Sequence, residues 1–337
     1  MNGMYDAPHV VTWELTRACQ LHCRHCRARA KANRDADELT VGEITQVMDD
    51  LAQFEWPPII VFTGGDPLER PDLPTILSAA RERGLRTAVA PSVTPRLTCE
   101  RIAEWKELGV ASVALSLDGA TEAVHDGFRG AAGIYRRTLD MAKTVVECGL
   151  RLQINSSVAK STWVELESLG DMVKALRVSS WELFFVVPTG RAAMIAEALE
   201  AEQIERHLAW IAKYAQSAAF RVTVVAAPQY QRVVEQTMGM TARPMFREGR
   251  GVIFIDRRGL VFPSGYLPVV AGNVRRASFT EIYQNSPVLR SLRDPSQLSG
   301  RCGTCAWSRT CGGSRSRAFA VTGDMLQSDP GCMLAVG

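Results

Sequence analysis

The sequence predicts an α/β protein: a parallel sheet flanked by helices, as an open doubly wound sheet or an incomplete (β/α) barrel, followed by a small loop-rich C-terminal part. Three observations predict it. Short β-rich apolar runs alternate six times with amphipathic segments of helical length. Several of those segments stop at a glycine, as at Gly84, Gly109 and Gly149. Every polar signature follows directly on a strand, where both architectures gather their chemistry.

In order, the strand VVTWEL (10–15) leads into a cysteine-bearing loop and a helix near 41–55. IIVFTG (59–64) runs into Gly64-Gly65-Asp66-Pro67 and a helix near 72–83, and RTAVAP (86–91) precedes a helix near 98–108. ASVALSL (111–117) carries Ser116 and delivers Asp118, ahead of a helix near 132–148. RLQINSSV (151–158) contains Asn155, and a helix near 161–177 separates it from WELFFVV (181–187), which ends in Pro188-Thr189-Gly190-Arg191. Beyond about residue 195 the alternation gives way to a helix near 200–218 and a strand RVTVVAA (221–227). A Gly/Pro/Arg-rich stretch over 239–273 holds a hairpin, VIFID-RRG-LVFP (252–263), and a helix near 279–292 precedes the last cysteines.

At 337 residues the chain has room for one large domain and a smaller appendage. A hydrophobic fraction of 46% with 22% charged residues excludes disordered, collagenous and coiled-coil classes. No apolar run reaches the ~20 residues that span a bilayer, and the first residues lack the pattern of a signal peptide, so no membrane partner and a cytoplasmic address are expected. The net charge of +3 is spread along the chain without basic blocks, and no nucleic-acid partner is expected.

Nine cysteines in a chain of that address read as metal ligands or free thiols and not as a disulfide framework. Cys19, Cys23 and Cys26 offer three thiolates in the loop after the first strand. A cubic [4Fe–4S] cluster held by three protein ligands keeps one iron open to an outside ligand, whereas a closed structural site takes four. A degenerate zinc site or three buried thiols fits the same spacing. Cys302, Cys305, Cys311 and Cys332 supply four thiolates, enough for a structural zinc or a second cluster. Cys99 and Cys148, at a helix start and a helix end, are expected to be buried structural thiols.

The spacing Cys19-x3-Cys23-x2-Cys26 after the first strand resembles the signature of the radical S-adenosylmethionine (SAM) superfamily, and the resemblance extends over nearly the whole chain. It implies a partial (β/α)6 TIM-type barrel over 1–195 holding SAM and a [4Fe–4S] cluster. It further implies a linking helix and strand over 196–240 and a small auxiliary-cluster domain of the SPASM or Twitch type over 241–337. Gly64, Gly65, Asp66 and Pro67 look like the family's Gly-Gly-Glu-Pro segment, which holds the SAM amino group through its main chain. Ser116, Asp118 and Arg129 resemble residues that bind the SAM ribose and carboxylate, while Asn155 and Val187 stand where the family contacts ribose and adenine. His25 takes the place of an aromatic that packs near adenine.

The ending CGTCAWSRTCGGSRSRAFAVTGD resembles the auxiliary-cluster extension, but further upstream cysteines are missing and Ser314-Arg315 follows the glycine pair. One auxiliary [4Fe–4S] cluster, ligated wholly by protein, is therefore expected, making two clusters in all. The resemblance also implies an external one-electron reductant such as flavodoxin or ferredoxin. The expected reaction is hydrogen abstraction by a 5′-deoxyadenosyl radical that drives decarboxylation of a small carboxylate, either a sugar-acid nucleoside or a porphyrin propionate. The opening TWELTRAC and CRHCRA look most like the haem-synthesis branch. A maturase of ribosomal peptides is the alternative within the family, and a non-enzymatic metal-binding regulator the alternative outside it. Arg191 and Arg315 are expected to clamp the substrate carboxylate by their bidentate forks, and Tyr266 to line the pocket as a hydrogen donor.

Overall fold

A computed structural model describes residues 6–240 and 246–335. Seven strands pair in parallel and in chain order: β1 (Val10–Glu14), β2 (Ile59–Thr63), β3 (Thr87–Val89), β4 (Ser112–Ser116), β5 (Arg151–Val158), β6 (Ser180–Phe185) and β7 (Arg221–Val225). The connecting helices are α1 (Val41–Ala52), α2 (Leu73–Glu82), α3 (Cys99–Glu107), α4 (Glu122–Arg129), α5 (Ile134–Glu147), α6 (Leu166–Ala175) and α7 (Ala201–Ser217). After β7 come α8 (Tyr230–Met238), the short strands β8 (Arg247–Glu248), β9 (Gly251–Ile255), β10 (Leu260–Phe262) and β11 (Gly272–Asn273), and helices α9 (Phe279–Asn285), α10 (Pro287–Arg293), α11 (Gly300–Thr304) and α12 (Arg315–Thr322).

Strand alternation decides which residues see the helices and which see the interior. Val11 and Trp13 of β1, Ile60 and Phe62 of β2 and Leu152 and Ile154 of β5 are almost wholly buried in one continuous apolar core. Each such fully buried aliphatic or phenyl side chain contributes ~1.5–3 kcal/mol. Their neighbours Thr12, Val61 and Asn155 face a hollow on the other side. The sheet curls around that hollow, and its strand path from β11 to β7 does not close, so the architecture is a partial (β/α) barrel.

Two expected elements take a different place. The strand over 221–227 pairs with β6 and extends the barrel as β7. The hairpin over 252–263 forms as β9 and β10, but β9 also lies parallel to β1, so this hairpin continues the barrel sheet on its other edge. The expected boundary at residue 241 lies outside the described residues.

Local chemistry explains the smaller differences. The helix expected over 279–292 is two helices, because Ser286 precedes Pro287 and adopts ψ of 124° in place of a helical value. Helix α4 was not anticipated: it has only 8 residues and Gly127 in its interior, yet Thr121 caps it, Gly130 stops it at φ of 67°, and His125 and Phe128 are buried on one side. Cys99 is exposed at the first position of α3 and Cys148 is half-buried, which corrects the expectation of two buried thiols.

The C-terminal segment is moored across the barrel. Arg317 donates to the Ala226 carbonyl just beyond β7 at 2.7 Å, Gln229 to the Gly331 carbonyl at 2.8 Å, and Ser316 to Glu248 at 2.9 Å. Among the described residues no helix is long and apolar enough to cross a membrane.

Candidate metal and cofactor site

The loop after β1 is closed on itself, since the Cys19 amide donates to the Lys31 carbonyl at 2.9 Å and the Lys31 amide to the Arg17 carbonyl at 3.0 Å. The turn after β2 packs beneath it. A Cβ at Gly64 would stand 2.5 Å from the Thr16 carbonyl oxygen, and one at Gly65 the same 2.5 Å from that of Arg17. Only glycine permits this approach, in which the Gly65 and Asp66 amides bond the Thr16 and Ala18 carbonyls, each at 2.7 Å.

Gly64 and Gly65 line the hollow, but Asp66 and Pro67 do not. The Asp66 carboxylate is buried and accepts from the Leu68 amide, the Ser92 amide and the Thr94 hydroxyl, tying the β2 turn to the β3 turn. Burial pushes its pKa up to about 6. Its side chain is a local brace, which leaves the main chain of the segment as the part expected to contact a ligand. Pro67 likewise only opens the short turn of 3-10 helix over Pro67–Glu69.

The three sulfurs of this loop sit in the wall of the hollow. Cys19 Sγ accepts from the Leu21 amide and meets the Ser92 hydroxyl, both at 3.3 Å; Cys26 Sγ accepts from the Ala30 amide at 3.5 Å. The Arg129 guanidinium stands 4.0 Å from Cys23 Sγ. Burial raises the Cys23 pKa and takes that of Cys19 to about 11. Sulfurs that are ringed by donors yet resist ionisation in the bare protein suit a cationic centre that holds them as thiolates.

The ends of β4 and β5 carry the next group. Asp118 is wholly buried; burial works to raise its pKa, but Arg129, His25, His125 and the Ser157 amide outweigh it and hold the value at about 2. Arg129 Nε donates to Asp118 at 2.6 Å and the Ser157 amide at 2.7 Å, while the Asp118 amide donates to His125 Nδ1 at 3.0 Å. Asp118 thus stands behind Arg129, and Arg129 faces the hollow. Ser116 and Asn155 are directly paired across β4 and β5 and both face inward, as do His25 and Val187. The His25 ring stacks on Phe128 at 4.0 Å and 10°, burial lowers its pKa to about 4, and its buried Nδ1 has no partner within the chain.

These groups open on one cavity of about 1080 Å³, which runs from the cysteine loop down between the strands. Tyr266 lines it, and burial raises its phenol pKa. Arg191 does not line it: its amide bonds the Cys26 carbonyl at 3.0 Å and its guanidinium the carbonyls of Cys23 at 2.9 Å and Ala30 at 3.1 Å. Arg315 is buried elsewhere, donating to the carbonyls of Gly313, Met325 and Gln327 and standing 3.4 Å from Cys302 Sγ. Both arginines, expected to clamp the substrate, instead brace cysteine loops in this structure and neither lines the cavity, although Arg191 Nη2 is buried without a partner in the chain. Arg27 and Glu182 are among the cavity residues that the sequence reading did not single out. Arg27 follows the last motif cysteine without belonging to its spacing, and Glu182 is a lone acid in the apolar run of β6 whose pKa burial raises.

Cys302, Cys305, Cys311 and Cys332 line a second, smaller pocket. Cys302 Sγ accepts from the Asp329 amide and Cys311 Sγ from the Gly313 amide, each at 3.4 Å, and burial drives the Cys311 thiol up to about 12. Gly313 has φ of 68°, and a Cβ there would stand 2.5 Å from Arg315 Nη2 and 3.0 Å from Cys302 Sγ. Among the described residues no three His, Cys, Asp or Glu side chains close to the spacing of one coordinated ion. The first cysteine group borders the large cavity, and the second a pocket of about 20 Å³.

The family model of the radical SAM superfamily matches residues 13–171. An AdoMet-dependent heme synthase from Methanosarcina barkeri is 36% identical over 100% of this chain and 99% of its own. A protein of the same name from Oleidesulfovibrio alaskensis is 32% identical over 97% of this chain and 87% of its own. Among solved structures, Streptococcus suis SuiB bound to S-adenosylmethionine superposes with a TM-score of 0.77 at 14% identity, covering 97% of this chain and 78% of that one.

Proposed function

The chain belongs to the radical SAM superfamily, and on that footing we propose that it decarboxylates a propionate side chain of an iron porphyrin. The observation that carries this reading is the cavity. At about 1080 Å³ it exceeds the ~300–1,000 Å³ typical of a pocket for one small molecule, and so has room for SAM and a bulky second ligand together. Its lower walls are apolar, with Val61, Val224, Phe184 and Phe254 suited to a flat, largely apolar ring system. Full-length similarity to two proteins named heme synthases supports the same choice over a sugar-acid nucleoside.

When bound, the SAM-ligated cluster supplies a 5′-deoxyadenosyl radical that takes a hydrogen atom from the substrate. Cys19, Cys23 and Cys26 would hold that cluster, with the Leu21 and Ala30 amides stabilising sulfur charge. Arg129, fixed by Asp118, presents a positive charge to the SAM carboxylate. Ser116 and Asn155 offer polar contacts to the ribose, and His25 and Val187 a wall for adenine, with Gly64 and Gly65 supplying main-chain carbonyls. Cys302, Cys305, Cys311 and Cys332 would hold one auxiliary [4Fe–4S] cluster. The external reductant is proposed to be a flavodoxin or ferredoxin.

The test is anaerobic reconstitution followed by SAM, reductant and iron coproporphyrin. With a one-electron acceptor present to take the electron released as each carboxylate leaves, the expected products are 5′-deoxyadenosine, methionine, CO2 and a porphyrin with vinyl groups in place of propionates, read by mass spectrometry. An unchanged porphyrin in an enzyme that still forms 5′-deoxyadenosine would sink the reading, and modification of a peptide instead would move the chain among the peptide maturases.

A further inference from the structure

Arg27 is a cation in the cavity wall that has no role so far. We propose that Arg27, the residue after the third cysteine of the loop, anchors the carboxylate of the substrate. This rests on the reading above that the substrate carries propionates.

The other arginines of the cavity are engaged or turned outward. Arg129 is committed to Asp118 at 2.6 Å, Arg247 donates to the Arg309 carbonyl at 3.2 Å, and the Arg221 side chain is 73% exposed. Arg27 lines the cavity with its side chain 21% exposed and its guanidinium 4.4 Å above the Phe254 ring centroid. One terminal nitrogen stands 3.1 Å from a carboxylate oxygen of Glu14. That carboxylate is shared, because its other oxygen meets Arg257 at 3.3 Å. Arg257 also pairs with Asp35 and Asp256, and in this connected group the cations Arg17, Arg27, Lys31, Arg257 and Arg258 face only the carboxylates Glu14, Asp35 and Asp256, so positive charge remains in excess. A guanidinium offers five N–H donors in a rigid fork that matches a carboxylate.

The surroundings are built for this side chain. A Cβ at Gly265 would stand 3.0 Å from Arg27 Cδ and 3.1 Å from Nε, so glycine leaves the lane through which Arg27 passes. Tyr266 follows in the chain and lines the same cavity; its phenol keeps its proton and can donate beside the guanidinium. The Arg27 backbone is also indexed to the cluster loop. Gly190, at φ of 61°, packs so closely that a Cβ would stand 2.6 Å from the Cys26 carbonyl oxygen, and the Arg191 amide bonds that same oxygen. An anchor one residue from a cluster ligand therefore sets where the carboxylate lies relative to the hydrogen that is removed.

The experiment uses the fully reconstituted enzyme with iron coproporphyrin and with its methyl ester, and compares Arg27→Gln, Arg27→Lys and Gly265→Ala. Iron content and the EPR spectrum of the reduced cluster establish that each variant is loaded. Loss of charge-assisted hydrogen bonds should raise KM for the porphyrin about 10- to 100-fold in Arg27→Gln. Arg27→Lys should recover part of that loss, since it keeps the charge without the fork. Gly265→Ala, whose methyl pushes Arg27 aside only slightly, should raise KM in the same direction but less than Arg27→Gln. The ester should bind wild type and Arg27→Gln alike. A wild-type KM in loaded Arg27→Gln overturns the assignment and leaves the porphyrin reading standing. A wild-type enzyme that does not convert the porphyrin overturns both.

Discussion

His125 is wholly buried, and its Nδ1 accepts the Asp118 amide at 3.0 Å. Burial, helped by Arg129, lowers its pKa from 6.5 to about 4. The sign follows from linkage: the unfolded chain takes up this proton first, so the stability contributed by neutral His125 is complete above pH 6.5 and is lost as pH falls toward 4. Between pH 7.5 and 5.5 the loss from this one group is about 1.4 kcal/mol. In His125→Asn, whose Oδ1 can replace Nδ1 as acceptor, that part of the slope should vanish, as read by melting temperatures at the two pH values. A slope equal to that of the wild type would show that His125 is not the titrating group. At the residue scale the grouping of the cysteines around two pockets was legible, because it follows from covalent spacing. The role of Asp66 was not, because whether a carboxylate after a glycine pair faces a pocket or braces a neighbouring turn depends on Ser92 and Thr94, which approach only in the folded chain.

At the scale of elements, the loop after β6 clasps the cysteine loop. Arg191 binds the Cys23 and Ala30 carbonyls, and each such bond from a charged donor is worth ~1.5–3 kcal/mol. Arg191→Ala should release iron to a chelator at least about 10-fold faster while leaving the porphyrin KM unchanged. A raised KM with unaltered iron retention would return Arg191 to the substrate. This separates it from Arg27, for which the opposite pattern is expected. Strands and most helices were visible in the periodicity of the sequence. Helix α4 was hidden, since eight residues with an internal glycine carry too weak a pattern, and its helical state depends on burying Phe128 beneath His25.

For the whole molecule, one sheet joins segments far apart in sequence, with β9 against β1 and β7 at the far edge. The C-terminal cysteines hang on this frame through Arg317, Gln229 and Ser316. The segment is loop-rich, and the auxiliary cluster proposed for it would add folding free energy that its small core cannot supply. Cys305→Ser together with Cys332→Ser should lower iron from ~8 to ~4 per chain. Protease sensitivity should then rise within 295–335 while 10–225 stays resistant. Retention of all iron in that variant would show that these cysteines hold no cluster.

By itself the sequence determined the alternation of strands and helices, the three-plus-four grouping of cysteines and the family they signal. These are matters of spacing along the chain, and hydrophobic periodicity and ligand count survive without folding. Only the tertiary structure decided that the hairpin and the strand over 221–227 extend the barrel, and that Arg191 and Arg315 brace loops while Arg27 faces the cavity. A long side chain reaches several ångströms from its backbone, so its partner is chosen by whichever carbonyl, carboxylate or ring the fold brings near, and in this chain those lie up to 243 residues away.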